Sequence, residues 1–576
     1  MTTSSARGGL TDGFHLLVDA LKLNGVETIY GLVGIPITDL ARLAQQSGIR
    51  FVGFRHETSA GYAAGAAGFL TRRPGICLTV SGPGFLNGLV ALANATTNCF
   101  PMVQIAGSSE RSIVDLQRGD YEELDQLAAA RPFAKAAYRI GRVEDIGIGV
   151  ARAVRTAVCG RPGGVYLDIP GTVLADAIDA AAAKKTVWRV VDPDPRQLPA
   201  PEAVDRALGL LTQARRPLIV LGKGAAYAQA DTAIRNFVEA TGIPFLPMSM
   251  AKGLLPDAHP QSAAAARSLA LARADVVMLV GARLNWLLSH GESPPWSTDA
   301  TFIQADIAAS EFDSNRPIAA PLAGDIGSVM TALLDGLKAN PVTAPTAWTG
   351  ELSERSNHNE AAMLKRLAED PEPMRFFNAL RAVRDVLARH PEVYVVNEGA
   401  NALDITRNVI DMQLPRHRLD SGTWGVMGVG MGYAIAAAVE TGRQVIAIEG
   451  DSAFGFSGMD FETICRYRLP ITVVVLNNGG VYRGDERAVD TADPAPTVLS
   501  ADARHDLLAK AFGGKGYRAA TPTELESALT QALASNGPAL IDCTLDPAAG
   551  VESGHLTSLN PKSAASTPPA AKNAGG

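Results

Sequence analysis

The sequence predicts an α/β protein of three doubly wound parallel-sheet domains, and three observations carry that reading. Short apolar runs alternate with longer helix-like segments almost throughout, and continuous apolar strands between helices mark parallel sheets covered on both faces. The runs fall into three groups: "TIYGLV", "ICLTVSGPG" and "MVQIAGS"; "PLIVLGKG", "VVMLVGARL" and "FIQADI"; "VYVVNEG", "VIAIEGD" and "ITVVVLNNGG". Proline- and charge-rich connections separate the groups at 181–201 and 338–350. The expected domains are therefore 1–190, 191–365 and 366–550, followed by a low-complexity tail over 551–576. At 576 residues the chain is too long for one core, which agrees with several domains.

The totals exclude several classes of function. A hydrophobic fraction of 47% with 19% charged residues is that of an ordered globular protein. A formal net charge of −7 gives no general attraction to nucleic acid or to an anionic membrane, so charges that bind a polyanion must be local. Cys77, Cys99, Cys159, Cys465 and Cys543 are scattered without a CxxC pair, which predicts a reducing compartment and neither a zinc site nor a disulfide framework. The opening residues lack the pattern of a signal peptide, and no apolar run is long enough to span a bilayer. The expectation is a cytoplasmic protein with neither nucleic-acid nor membrane partners.

Each strand group ends in glycine-rich loops, and parallel sheets bind ligands in the crevice beyond the carboxyl ends of their strands. None of these loops is a full dinucleotide fingerprint or a P-loop. Gly428, Gly430 and Gly432 in "GVGMGYAIAAAVE" open a helix, and a close helix–helix contact explains them at least as well as a nucleotide does.

The strongest local signal begins in "VIAIEGDSAFGF", 445–456, where an apolar strand ends on Gly450 and Asp451. A helix is expected over "GFSGMDFETICRYRL", followed by the strand "ITVVVLN" and the turn Asn477, Asn478, Gly479, Gly480. Asp451 and Asn478 lie 27 positions apart, a spacing that suits the ends of two parallel strands joined by one crossover. Magnesium takes oxygen ligands in octahedral geometry and few protein carboxylates. Asp451, the Asn478 side-chain oxygen and the Gly480 carbonyl would supply them, and the glycines would let backbone N–H groups approach a diphosphate. Two unrelated strand-end turns are the competing explanation, and the crossover spacing weighs against it.

This GDS…NN pattern resembles the cofactor signature of the thiamine-diphosphate-dependent decarboxylases, whose pyrimidine-binding, central and diphosphate-binding domains would cover the chain nearly end to end. "YGLVGIPITDLARLAQ", "GFRHETSAGYAAGAAGFL", "GDYEELDQ", "GTWGVMGVGMGYAI" and "VESGHLTSLNP" are similar to members that act on acyl-CoA thioesters. The resemblance implies thiamine diphosphate and Mg²⁺ as cofactors, with Gly425, Met427, Gly450, Asp451, Ser452, Ala453, Asn478 and Tyr482 around the former and Asp451, Asn478 and Gly480 around the latter. It implies that Glu57 hydrogen-bonds the pyrimidine ring to generate the reactive ylide, with Met427 wedged beneath the folded cofactor. Tyr121, Glu122, Tyr482 and Ser553 would serve the reacting carbon, and Ser553 would belong to a tail segment that closes over substrate.

The same resemblance implies carbon–carbon lyase chemistry: ylide attack on oxalyl-CoA, loss of CO₂, protonation of the carbanion and release of formyl-CoA. ADP would occupy the central domain at Arg161, Lys223, Arg283, Asp306 and Ile326, although a structural role for these loops competes. Arg267 and Arg407 would meet coenzyme A phosphates. A homodimer is the implied minimal unit, because Glu57 and Asp451 belong to domains that face each other across subunits, and a homotetramer is common in the family. Three alternatives remain: a 2-hydroxyacyl-CoA lyase working through the same carbanion, an FAD-dependent pyruvate oxidase, and a cofactor-binding protein without catalysis.

Overall fold

The computed structural model describes residues 9–488 and 492–552. Three parallel sheets follow one another along the chain. The first has the spatial order Arg50–Gly53, Thr28–Gly31, Gly75–Thr79, Met102–Ser108, Gly164–Pro170, Ala136–Arg139. The third runs Arg418–Asp420, Tyr394–Glu398, Val445–Gly450, Ile471–Asn477, Ala539–Thr544, Lys515–Ala519. Numbered within each domain, both have the order 2-1-3-4-6-5, so one topology occurs twice. The central sheet, Phe245–Pro247, Pro217–Leu221, Val276–Val280, Thr301–Asp306, Ile318–Ala323, has the order 2-1-3-4-5. A short antiparallel pair, Leu10–Asp12 with Ala177–Asp179, closes the base of the first domain.

The α/β class read from the apolar runs is the architecture found. Those runs are the buried interior strands: every residue of Ile471–Asn477 and of Val276–Val280 is buried. The edge strand Lys515–Ala519 escapes the pattern because it is short and half exposed. The segment after Asp451 departs from the single expected helix. It forms Asp451–Ser457, a 3₁₀ turn at Gly458–Asp460, and Phe461–Arg466. Asp460 sits at the break, buried, and accepts a hydrogen bond from Arg55 N at 2.8 Å, which binds this segment to the first domain.

The first and third domains meet along the helices Glu57–Thr71 and Val429–Thr441. Both are rich in glycine and alanine, and both are buried nearly all round, as a helix without a polar face must be. A Cβ at Gly432 would stand 2.6 Å from the Ser59 carbonyl oxygen and 2.9 Å from Tyr62 Cβ, so the backbones touch where only glycine fits. Of the glycines in this run, Gly432 is thus the helix–helix contact, while Gly428 and Gly430 stand closest to other parts of the third domain. Beside them Tyr62 and Tyr433 pack edge to face at 6.4 Å. Tyr467 adds a polar clamp, accepting from Gly53 N at 2.9 Å and donating to Phe51 O at 3.0 Å. One hydrophobic cluster runs through all three domains, from Tyr62 and Phe100 through Tyr227 and Val280 to Tyr433 and Val473. No helix among the described residues is long and apolar enough to cross a membrane.

Two glycine substitutions separate contact from propensity. Gly432→Ala forces backbone apart at the crossing and is expected to lower stability by about 1–3 kcal/mol in urea unfolding. Gly350→Ala, in the helix Thr346–Ala368 where an added Cβ meets nothing, is expected to raise it by about 0.5–1 kcal/mol.

Candidate active site

In the third sheet the strand order reverses between Tyr394–Glu398 and Val445–Gly450, the point at which such sheets bind ligands. Val445–Gly450 and its neighbour Ile471–Asn477 are paired in parallel, with Gly450 opposite Leu476, so Asp451 and Asn478 emerge side by side. The buried Asp451 carboxylate gathers the second loop: Oδ2 accepts from Gly479 N at 2.7 Å and Gly480 N at 3.2 Å, while Oδ1 accepts from Ser452 N at 2.7 Å. Burial raises its pKa, and these three N–H groups oppose the rise. Asn478 donates Nδ2 to the Tyr482 carbonyl at 2.9 Å, which directs its Oδ1 away from that contact as an acceptor. Among the described residues no cluster of three or more His, Cys, Asp or Glu forms a metal cage. One carboxylate with carboxamide and carbonyl oxygens instead fits a small hard cation whose shell is completed by phosphate and water.

Glu57 begins its helix, 7% exposed, with His56 as N-cap. Asn87 Nδ2 donates to Glu57 Oε2 at 3.1 Å, and a Cβ on Gly84 would stand 3.1 Å from Oε1. Glu122 lies on the same rim: its Cβ is 2.8 Å from where a Gly82 Cβ would be, and its carboxylate accepts from Ser81 Oγ. Gln126, which sequence reading did not single out, fixes this rim by accepting from Gly82 N at 2.6 Å and donating to Tyr166 OH at 2.7 Å. Tyr121 is 81% exposed and points off the rim of the single chain. Ser553 lies outside the described residues, as do Gly554 and His555 of the same tail segment.

Gly425 and Met427 occupy the loop that precedes Val429–Thr441. Tyr62 OH donates to the Met427 carbonyl at 3.3 Å, tying the loop to the Glu57 helix. Both residues line a cavity of about 320 Å³ that extends to the strand-order reversal of the central sheet. Arg161, Lys223, Arg283, Asp306 and Ile326 all line this cavity, and so does Arg407. The loops of the reversal cross tightly: a Cβ on Gly222 would stand 2.1 Å from Gly281 O, and Gly281 has φ +55°. Arg161 pairs with Glu311, and Arg283 lies 3.8 Å from the same carboxylate, a cation–anion arrangement that the sequence did not signal. Arg267 is partly buried, and both burial and the nearby Arg407 charge lower its pKa, so these two guanidinium groups share one neighbourhood.

Family models match residues 11–129 as the N-terminal thiamine pyrophosphate-binding domain, 204–333 as the central domain and 399–543 as the C-terminal thiamine pyrophosphate-binding domain. The chain belongs to the thiamine pyrophosphate enzyme family. Its relatives include oxalyl-CoA decarboxylase of Escherichia coli K12, 60% identical over 96% of this chain and 99% of that one. The 2-hydroxyacyl-CoA lyase of Arabidopsis thaliana is 46% identical over 95% and 98%, and human 2-hydroxyacyl-CoA lyase 1 is 43% identical over 93% and 95%. As a member of the family, this enzyme binds thiamine diphosphate through its first and third domains.

Sequence reading also missed Glu398 and Glu449, register partners on adjacent strands of this thiamine pyrophosphate enzyme. Both are fully buried and converge on Gly430: a Cβ there would stand 2.1 Å from Glu449 Oε1 and 3.0 Å from Glu398 Oε2. Glu398 accepts from Gly428 N and, at 2.6 Å, from Gly430 N, so it caps the helix that follows the Met427 loop. Neither Glu449 oxygen has a hydrogen-bond partner among the described residues. Burial pushes the Glu398 pKa up to about 7 against those N–H groups, and Glu449 is raised by burial and then by the Glu398 charge. A folded-state pKa above the unfolded value means that the contribution to stability is complete below about pH 4.5 and is lost as pH rises through 7. Urea unfolding of the cofactor-free protein should therefore show stability falling as pH rises from 5 to 8, and Glu449→Gln should make that fall shallower while the Glu398 contribution remains.

Proposed function

We propose that this chain is an oxalyl-CoA decarboxylase, a carboxy-lyase converting oxalyl-CoA to formyl-CoA and CO₂ with thiamine diphosphate and Mg²⁺. The observation that carries the proposal is the Asp451–Asn478 oxygen set across two adjacent strand ends, in a chain 60% identical to an oxalyl-CoA decarboxylase. Asp451, Asn478 Oδ1 and the Gly480 carbonyl would hold Mg²⁺, and Gly450, Ser452 and Ala453 would line the diphosphate. Thiamine diphosphate, when bound, supplies the carbon nucleophile and the electron sink for loss of CO₂.

The remaining steps belong to the protein. Glu57 would hydrogen-bond the pyrimidine ring of the cofactor, the Gly425 carbonyl would accept from its amine, and Met427 would support its rings. Glu122, oriented by Ser81, together with Tyr121 and Tyr482 holds water and a proton near the reacting carbonyl. A guanidinium clamp on the departing carboxylate would stabilise the ground state and slow the loss of charge, so hydroxyl and carboxyl groups suit this end of the site. Arg267 and Arg407 hold coenzyme A phosphates. ADP occupies the central-domain end of the cavity, with Arg161, Lys223 and Arg283 at its phosphates, Asp306 at its ribose and Ile326 at its adenine.

The active unit is a dimer, with tetramer assembly following, in which Glu57 of one copy serves Asp451 of the next. Apolar side chains exposed around both half-sites support it: Ile35, Leu86 and Val90 near Glu57, and Phe456 and Met459 beyond Asp451. All five cysteines are free, which suits the cytoplasm. A 2-hydroxyacyl-CoA lyase is the second reading, favoured by the 46% identical relative.

Mass spectrometry of products from oxalyl-CoA with thiamine diphosphate and Mg²⁺, with and without ADP, tests the proposal. Formyl-CoA is expected, whereas cleavage of 2-hydroxyacyl-CoA with oxalyl-CoA left intact would give the second reading the site. Glu57→Gln should keep the unfolding midpoint and lose about 10²–10⁴-fold in kcat. A fully active variant removes Glu57 from the mechanism.

A further inference from the structure

Asn98 is fully buried at the end of the helix Pro83–Asn98 and makes four hydrogen bonds into all three domains. Its Oδ1 accepts from Lys223 Nζ of the central domain at 2.6 Å and from Thr423 N of the third domain at 2.8 Å. Its Nδ2 donates to Asn94 Oδ1 at 2.6 Å and to the Ser421 carbonyl at 3.0 Å. Two donors and two acceptors exhaust a carboxamide, so the side chain has one orientation and no spare capacity. Asn94 carries the network on to Tyr433 OH at 2.9 Å, on the helix that follows the Met427 loop.

Lys223 reaches the same loop a second time, with Nζ 3.3 Å from Thr423 Oγ1. Trp286 of the central domain holds Thr423 from the other side, donating Nε1 to its carbonyl at 2.8 Å. Between them Gly422 has φ +69°, and a Cβ there would stand 2.3 Å from Asn98 Oδ1 and 3.2 Å from Lys223 Nζ, so the loop passes directly over the pair. Three residues further on, this loop presents Gly425 and then Met427 to the cavity. Lys223 is partly buried, its hydrogen-bond partners are an amide and a hydroxyl, and burial lowers its pKa to about 8. An ammonium with three donors, two of them engaged, keeps one for the cavity it lines.

We infer that Asn98 is a positioning residue that couples anion occupancy of the central cavity to the cofactor loop, through Lys223 on one side and Thr423 on the other. The inference rests on the reading of that cavity as an ADP site and states how the site acts. A phosphate on the remaining Lys223 proton fixes the ammonium, which fixes Asn98 and Thr423, and a fixed 421–427 segment holds Met427 where the cofactor must fold over it. Coupling of this kind is reciprocal: each ligand tightens the other by one factor.

Calorimetric titration of the metal-loaded protein tests it, with thiamine diphosphate added with and without saturating ADP and then in the reverse order. In the wild-type protein each ligand is expected to tighten the other by the same factor, about fivefold or more. Thr423→Val removes the Lys223 acceptor but keeps both backbone contacts, and Asn98→Ala removes the hub. Both should still bind the two ligands, with the coupling factor reduced to within about twofold of unity. If Asn98→Ala fails to fold, Thr423→Val carries the test. Wild-type protein that binds ADP without any change in cofactor affinity overturns the inference, as do variants that keep the full factor. Wild-type protein that binds no ADP overturns the nucleotide reading and this inference with it.

Discussion

The close crossing of two small-residue helices, Glu57–Thr71 and Val429–Thr441, is the constraint on which the rest of the structure depends. Gly432 lets one backbone lie against Ser59 and Tyr62 of the other, and a side chain at that position would push the two sheets apart. Each helix starts at a functional loop: Glu57 is the first residue of one, and Met427 immediately precedes the cap of the other. Fixing the crossing therefore fixes both loops, and Tyr62 adds a direct bond from the first helix to the Met427 carbonyl. The same contact explains why both helices lack a polar face, since each is covered by its own sheet and by its partner.

A repeated sheet order gives the first and third domains the same frame, but their strand ends carry different chemistry. In the third domain the strand ends hold Glu398, Glu449, Asp451 and Asn478, and in the first the chain turns at Gly82 and Glu57. What was legible in the sequence follows from this placement. Asp451 and Asn478 could be read because both halves lie in one crossover unit, where spacing alone decides adjacency. Glu57 needed the family resemblance, since a carboxylate opening a helix has a common structural explanation. The broken helix after Asp451 was hidden because Asp460 is drawn to Arg55, more than 400 positions away.

Asn98, Glu311 and the Glu398–Glu449 pair gave no signal for a related reason. An asparagine near a helix end and glutamates closing apolar strands are ordinary in isolation. Their roles arise from partners supplied by other domains or by the neighbouring strand, which periodicity cannot show. Edge strands such as Lys515–Ala519 were missed for a simpler reason, because a half-exposed strand lacks the continuous apolar run that marks the interior ones.

The charge that lines the central cavity differs from the charge around Glu57. Guanidinium and ammonium groups gather at the central domain, where Arg161, Lys223 and Arg283 line the cavity together with Asp306, and Glu311 pairs with the two arginines. Glu311 offsets part of the charge of the two arginines. The groups around Glu57 are instead carboxyl, carboxamide and hydroxyl: Asn87, Ser81 and Glu122. A site at which a carboxylate departs and a proton arrives is better served by groups that can donate or accept than by a fixed cation, because a fixed cation favours the state before charge is lost. The loop 421–427 lines the cavity and is held by Asn98 and Tyr62 of the first domain and by Lys223 and Trp286 of the central one. The position of Met427 is therefore set jointly by the first and central domains, although the loop that carries it belongs to the third.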